Sequence, residues 1–561
     1  MRTLIVTLLF ISSTLSAQFT DYNTVKEVKV KNKGVVVSAH PLASEAGAKV
    51  MRMGGNAYDA VVATQYALAV VYPQAGNIGG GGFLVGVKSN GEKFTLDYRE
   101  TAPKRASRDM YLDKNGVAST SLSQYGRLAV GVPGSVAGMF ETLKYCKLPM
   151  KDLIQPAIDL AEKGFAITDK EAELLNKTQP AFKQHNYTTT PFTTNTQWKS
   201  GDVIVQKDLA ETLKRIQKEG KKGFYEGKTA DLLIAEMKKG NGIITAQDLK
   251  NYTVAERKPL VFDYKKNTVV SMPLPSSGGL LLAQMLKMAA FENLENYQLN
   301  STKAVQIMVE AERRAYADRA EYMGDPDFIQ DKTEMLMSDE YLRNRWKSFN
   351  PEKATPSAEV GNIISPTKES TQTTHISVLD KDGNAASVTT TLNGYYGSKV
   401  MVTGAGFFLN NEMDDFSIRP GVPNMFGAVG GEANSIAPNK RMLSSMTPTV
   451  LLKEGKPFMV VGTPGGTTIP TSVFQSIVDV VDFKQNTNIA VNAPKFHHQW
   501  LPEVVKIEAN FPQATISDLE KMNYTFETIP YIGKTEMITI DENGTIHAVA
   551  DGRGDDSVAI E

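Results

Sequence analysis

The chain has 561 residues, and its 61 Lys and Arg against 62 Asp and Glu leave a formal charge of −1. That balance excludes the basic surplus that holds nucleic acid and leaves no acidic tail, so a small or neutral partner is expected. The composition is that of an ordinary soluble protein with a large core, and a single cysteine, Cys146, excludes an intrachain disulfide.

The first residues read as an address. Arg2 is a short positive start, Leu4 to Ile11 form an apolar run, and Ser13 to Ala17 are mostly small. This predicts a secretory signal over residues 1–17, cleaved near Ala17, because the apolar run is too short to span a bilayer comfortably. Gln18, rather than Cys, follows, which gives no sign of a lipoprotein. The mature protein is expected to be periplasmic or secreted, with no membrane span.

Residues 38–72 read as helical, with Asn56 to Tyr72 a second, strongly apolar helix. Gly79 to Gly82 lead into a strand over Phe83–Val87, and Phe94 to Arg99 alternate as a strand that ends in Arg99. Residues 150–330 read as mostly helical, broken by turns such as Pro273 to Gly279. Residues 351–372 are rich in Pro, Ser, Thr and charge and read as solvated and flexible. From Thr373 on the chain is strand-rich, and the long irregular stretch 418–441 has the character of a functional lid. Helices before and strands after, without regular βα alternation, predict an α+β protein with helices layered on a largely antiparallel sheet.

The segment 373–391 folds on paper into a hairpin. Thr373 to Asp380 and Asn384 to Thr391 alternate, and Gly383 sits where a three-residue loop needs a left-handed residue. Pairing about Asp382 sets Ser377 opposite Ser387 and Thr373 opposite Thr391, about 5 Å apart on one face. Ile376, Val378, Ala386 and Val388 fall on the other. An ordinary threonine-rich strand would look similar, since Thr favours strands. Thr373, however, stands where a polar, irregular run gives way to a strand. Cutting Gln372–Thr373 would free its α-amino group, with a pKa near 8, as the base that an internal hydroxyl lacks.

Other chemistries lack their motifs: there is no HExxH, CxxC, Walker A or GxSxG pattern, and Gly79 to Gly82 do not fit GxGxxG. Adjacent His497 and His498 would point to opposite faces of a strand, so no metal is expected. Gly465-Gly466, at the end of an apolar strand, reads either as a tight turn or as a pair of free backbone N–H groups for an oxyanion. Arg99, Asn393, Glu412, Asp415, Ser444 and Ser445 together complement an α-amino acid head group: Arg and Ser suit a carboxylate, Asp and Glu an ammonium.

Several long runs occur in one order: GNIGGGGF, LDYRETAP around Arg99, TTHISVLDKDGNA from Thr373, LNNEMDDF, PGVPNMFGAVGGEANSIAPNKRMLSSMTPT, GTPGG and NAPKFHHQWLP. In these the chain resembles the γ-glutamyltranspeptidase (glutathione hydrolase) family. The resemblance implies an N-terminal-nucleophile hydrolase with a four-layer αββα sandwich. It implies autocatalytic cleavage before Thr373 into a large subunit, 18–372, and a small one, 373–561. It assigns Thr373 as nucleophile, Thr391 as its hydrogen-bonding neighbour and Gly465 and Gly466 as the oxyanion hole. Arg99, Ser444 and Ser445 would hold the α-carboxylate of the γ-glutamyl group, and Asn393, Glu412 and Asp415 its α-amino end. Glutathione and amino acid or peptide acceptors are the implied substrates, with no cofactor. Phe426 stands in the lid where many members carry Tyr, and Glu412 where some bacterial relatives carry Gln. The alternatives are a cephalosporin (glutaryl-7-ACA) acylase and an inactive exported γ-glutamyl-binding protein.

Overall fold

Two seven-stranded sheets lie against each other in the computed structural model, which describes residues 24–361 and 373–561. The expected signal segment and the end of the run before Thr373, 362–372, lie outside the described residues. One sheet runs Ser557–Ile560, Val35–Ser38, Thr374–Leu379, Ala385–Thr391, Gly81–Val87, Lys93–Asp97 and Ala255–Arg257 from edge to edge. The other runs Glu27–Val30, Ile546–Val549, Glu536–Ile540, Lys456–Gly462, Thr449–Lys453, Asn267–Ser271 and Leu260–Tyr264. Neighbouring strands in both are antiparallel.

Period-2 alternation gives each strand two apolar faces, and both are used. Val37, Val85, Val270, Val460 and Ile538 meet between the sheets. The opposite face of the first sheet, with Ile376, Val378, Ala386 and Val388, packs on the helices Pro41–Arg52 and Ala57–Val71. The outer face of the second, with Val269, Leu451, Met459 and Val461, packs on Gly278–Ala290, Thr302–Tyr322 and Thr468–Val481. The order helix, sheet, sheet, helix is the expected four-layer sandwich.

The two helices read over 38–72 are there, and the second starts as its sequence dictates. The Asn56 side chain accepts from the N–H groups of Tyr58 and Asp59, and Asp59 accepts from Asn56 N–H at 2.8 Å. All fifteen of its residues are buried, which explains why it is apolar on every side.

Two expectations fail. Each sheet draws strands from both sides of Thr373, so helices and strands are not segregated along the chain. Leu260–Tyr264 and Asn267–Ser271 have only five residues each, too few to stand out inside a largely helical region. Residues 351–361 are also not uniformly solvated. Thr355 accepts from Arg314 Nη2 at 3.1 Å, and the Ser357 hydroxyl donates to Trp500 O at 2.7 Å. Their hydroxyls satisfy buried cations and carbonyls, a use that polar composition alone does not reveal.

Candidate active site

Where the two sheets open, Arg99, Arg319, Thr373, Thr391, Asn393, Asp415, Asn424, Phe426, Ser444, Ser445, Gly466 and Thr467 line one cavity of about 330 Å³, counted to its open mouth. Nine of the eleven residues singled out from sequence are among them: Arg99, Thr373, Thr391, Asn393, Asp415, Phe426, Ser444, Ser445 and Gly466. Gly465 lies in the adjoining turn. Glu412 is fully buried and meets the cavity wall through the guanidinium of Arg99 and the hydroxyl of Thr391.

The hairpin presents Thr373. Its register is as read: Thr374 opposite Thr390, Ser377 opposite Ser387, Leu379 opposite Ala385, which continues to Thr373 beside Thr391. Gly383 takes φ +89°, and Asp380 Oδ1 accepts from the N–H groups of Asp382 and Asn384, closing the loop. On the face of Thr373, His375 contacts Thr389 Oγ1 at 2.9 Å and Ser377 Oγ at 3.1 Å. Burial pushes its pKa down to about 3, so the imidazole is neutral. Thr391 Oγ1 accepts from Asn393 N–H at 2.7 Å. Asn393 turns there with φ +74°, and its Oδ1 is buried without a hydrogen-bond partner among the described residues. A free carbonyl oxygen at the cavity wall suits an ammonium donor.

Arg99 leaves the Lys93–Asp97 strand and ends among carboxylates. Nη1 is 2.6 Å from Glu412 and 3.7 Å from Glu100, and Nη2 is paired with Asp415. Burial opposes its charge, but Glu412, Asp415 and Glu100 outweigh burial and raise its pKa. The acids show the converse. Burial drives Glu412 well up, against the pull of Arg99, and lifts Glu100 to about 8. One guanidinium faces three acid groups, so this wall keeps oxygen acceptors for an incoming ammonium.

The turn after Lys456–Gly462 is backbone made for a ligand. Gly465 has φ +142° and Gly466 φ +57°, both in the range that favours glycine. Among the described residues neither N–H is taken by another group, and the helix Thr468–Val481 starts immediately after, with its positive end toward the cavity. The stretch 418–441 is a loop with only one short helical turn, and it closes over the cavity through Asn424, Phe426 and Ala428. Asn424 Oδ1 accepts from the N–H groups of Phe426 and Ala428, while its Nδ2 donates to Asp415 Oδ1 at 3.0 Å. Asp414 Oδ2 accepts from Met425 N–H at 2.8 Å.

Sequence reading missed Arg319, Asn424 and Thr467. The run around Arg319 reads as a charged helix face, and nothing local marks it as cavity-lining. Asn424, two residues before Phe426, could have been found as a side chain that caps its own loop. Among the described residues no group of three or more His, Cys, Asp or Glu is placed to hold a metal. No helix there is long and apolar enough to cross a membrane.

The family model described as gamma-glutamyltranspeptidase matches residues 43–561. The glutathione hydrolase proenzyme of Escherichia coli (strain K12) is 42% identical over 529 residues, covering 94% of this chain and 91% of that relative. Among solved structures, Helicobacter pylori gamma-glutamyltranspeptidase is 45% identical with a TM-score of 0.56, over 58% of this chain and 93% of that one. Cephalosporin acylase from Bacillus halodurans, at 26% identity, superimposes with a TM-score of 0.83 over 95% and 96%.

Proposed function

The chain belongs to the gamma-glutamyltranspeptidase family, and from that premise we propose that it is an exported glutathione hydrolase and γ-glutamyltransferase that matures by cutting itself before Thr373. The observation that carries the reading is the single cavity in which Thr373 meets Thr391, Arg99, Asp415, the two serines and Gly466. Residues 1–17 serve as the signal, and cleavage gives subunits 18–372 and 373–561 that stay together as one sandwich.

Maturation and turnover use the same hydroxyl. In the precursor, Thr373 Oγ attacks the carbonyl of Gln372, and water cleaves the resulting ester, leaving Thr373 as a free N-terminus. Its α-amino group then takes the Oγ proton as Oγ attacks the γ-amide carbonyl of the donor. The N–H groups of Gly465 and Gly466 stabilise the oxyanion, each contributing about 3 kcal/mol. The ammonium returns its proton to the departing amine, which is cysteinylglycine when glutathione is the donor. Water or an amino acid or peptide amine then attacks the γ-glutamyl ester and restores Thr373.

Head-group recognition follows the charges. Asp415, the free Oδ1 of Asn393 and, through Arg99, Glu412 favour the α-ammonium, while Arg99, Ser444 and Ser445 take the α-carboxylate. Phe426 closes the cavity as an apolar gate without a hydroxyl.

Intact mass and turnover test the proposal together. The wild-type protein should give two fragments separating at Gln372–Thr373 and should hydrolyse L-γ-glutamyl-p-nitroanilide in preference to glutaryl-7-ACA, with transfer appearing when glycylglycine is added. Thr373→Ala should remain one chain without activity. Normal fragments from Thr373→Ala would remove Thr373 from both roles, and preference for glutaryl-7-ACA would make the protein an acylase.

A further inference from the structure

The cavity holds two arginines, and they are not in the same electrostatic state. Arg99 already faces Glu412, Asp415 and Glu100. Arg319, near the end of the Thr302–Tyr322 helix, is buried, lines the same wall as Ser445, and has no carboxylate within ion-pair distance among the described residues. Its Nε donates to Ser277 Oγ at 3.0 Å and its Nη2 to Ser445 Oγ at 3.3 Å. Ser277 in turn ties this arginine to the serine pair, because its hydroxyl donates to Ser444 O at 2.7 Å and its N–H to the same oxygen at 2.8 Å. A hydroxyl that accepts from a guanidinium turns its own proton elsewhere, so Ser445 is left to donate toward the cavity.

An anion approaching Arg99 alone meets the field of the carboxylates already paired there. A second guanidinium on the serine side, bonded to hydroxyls and reached by Asp415 only at longer range, offsets that repulsion. From this arrangement we infer that Arg319 is a specificity-determining residue of the donor site, supplying a second positive charge outside any ion pair and the oriented Ser445 hydroxyl that select donors bearing a free α-carboxylate. The inference rests on the γ-glutamyl reading of the cavity and adds to it the residue that makes the carboxylate obligatory.

The test compares two chromogenic donors on the matured full-length enzyme: L-γ-glutamyl-p-nitroanilide and 4-aminobutanoyl-p-nitroanilide, which differ only in the α-carboxylate. Arg319→Gln should raise KM for the first roughly tenfold or more, the worth of a charge-assisted hydrogen bond, with kcat little changed. The kcat/KM of the second donor should stay within about twofold, because it has no carboxylate to lose. Arg319→Lys, which keeps the charge, should recover most of the preference. Equal losses on both donors would make Arg319 a support of the fold alone, and an unchanged ratio would remove it from the donor site. If the Gln variant fails to mature, Arg319→Met, which also removes the charge, decides by the same ratio: loss confined to the carboxylated donor supports the assignment, and equal loss overturns it. A wild-type enzyme that ignores the γ-glutamyl donor altogether would overturn the γ-glutamyl reading instead, so the two failures are distinct.

Discussion

A methyl group at Gly466 would land 2.6 Å from Cδ1 of Phe426, on a backbone with φ +57°. One at Gly465 would lie 2.4 Å from Thr468 Oγ1. Both the conformation and the space demand glycine, so alanine must move the turn and re-aim its N–H groups. Gly466→Ala should therefore lower kcat on the order of 100-fold with donor KM much less affected, since an oxyanion donor acts in the transition state. Steady-state kinetics on L-γ-glutamyl-p-nitroanilide check this; a rise in KM at constant kcat would count against the oxyanion role. At this scale the sequence was most informative where chemistry demands a rare residue type. Paired glycines at a strand end and a threonine at the edge of an irregular run are visible without a structure. Arg319 is not, because one more arginine in a helix of alternating charge carries no local signature, and only the packing of that helix against Ser277 and Ser445 gives it a role.

The hairpin and the lid differ in how their form is encoded. The register of Thr374–Leu379 on Ala385–Thr391 follows from strict alternation and from one left-handed glycine, so it could be read residue by residue. The 418–441 loop has no period, and its closed form depends on side chains that satisfy its backbone. Asn424 holds two of the loop's N–H groups and ties the loop to Asp415, the same carboxylate that pairs with Arg99. Asn424→Ala should loosen Phe426 over the cavity and raise donor KM about three- to tenfold, because it removes two bonds that shape the loop and one that ties it to Asp415. It should also speed proteolytic nicking within 418–441. Kinetics and timed proteolysis on the same preparation check both; an unaltered KM would detach Asn424 from closure. The short strands Leu260–Tyr264 and Asn267–Ser271 belong with the lid as features hidden from sequence, because their identity comes from the sheet edge that receives them.

The interleaving of the sheets decides what a cut before Thr373 can do. Thr374–Leu379 pairs with Val35–Ser38 on one side, and Ala385–Thr391 pairs with Gly81–Val87, so the strands on either side of the cut hold each other. No single-chain pattern predicts this, since it joins residues hundreds of positions apart.

The same burial that closes the sandwich traps ionisable groups in their neutral forms, and this fixes how the whole molecule responds to pH. Burial pushes the carboxyl of Glu171 up to about 8 and those of Asp414 and Asp479 to about 7. The fold thus keeps protons that the unfolded chain sheds above about pH 4.5, and these groups make stability fall as pH rises toward 8. Histidines act in the opposite sense. Burial holds His375 and His497 near 3 and His40 near 4, so the fold excludes protons that the unfolded chain takes up below about pH 6.5. Their contribution grows with pH up to that point and is then complete. His40 and Glu171, 3.6 Å apart, show both trends in one contact, each kept uncharged by burial. Below about pH 6.5 the two sets oppose each other; above it only the carboxyls still act. Lys399, which burial lowers to about 8, adds stability only beyond that value. The Tm of the uncleaved Thr373→Ala chain should therefore decline steadily from about pH 6.5 to 8. Calorimetry across that range measures it, and a flat or rising Tm would mean that these acids are ionised inside the fold.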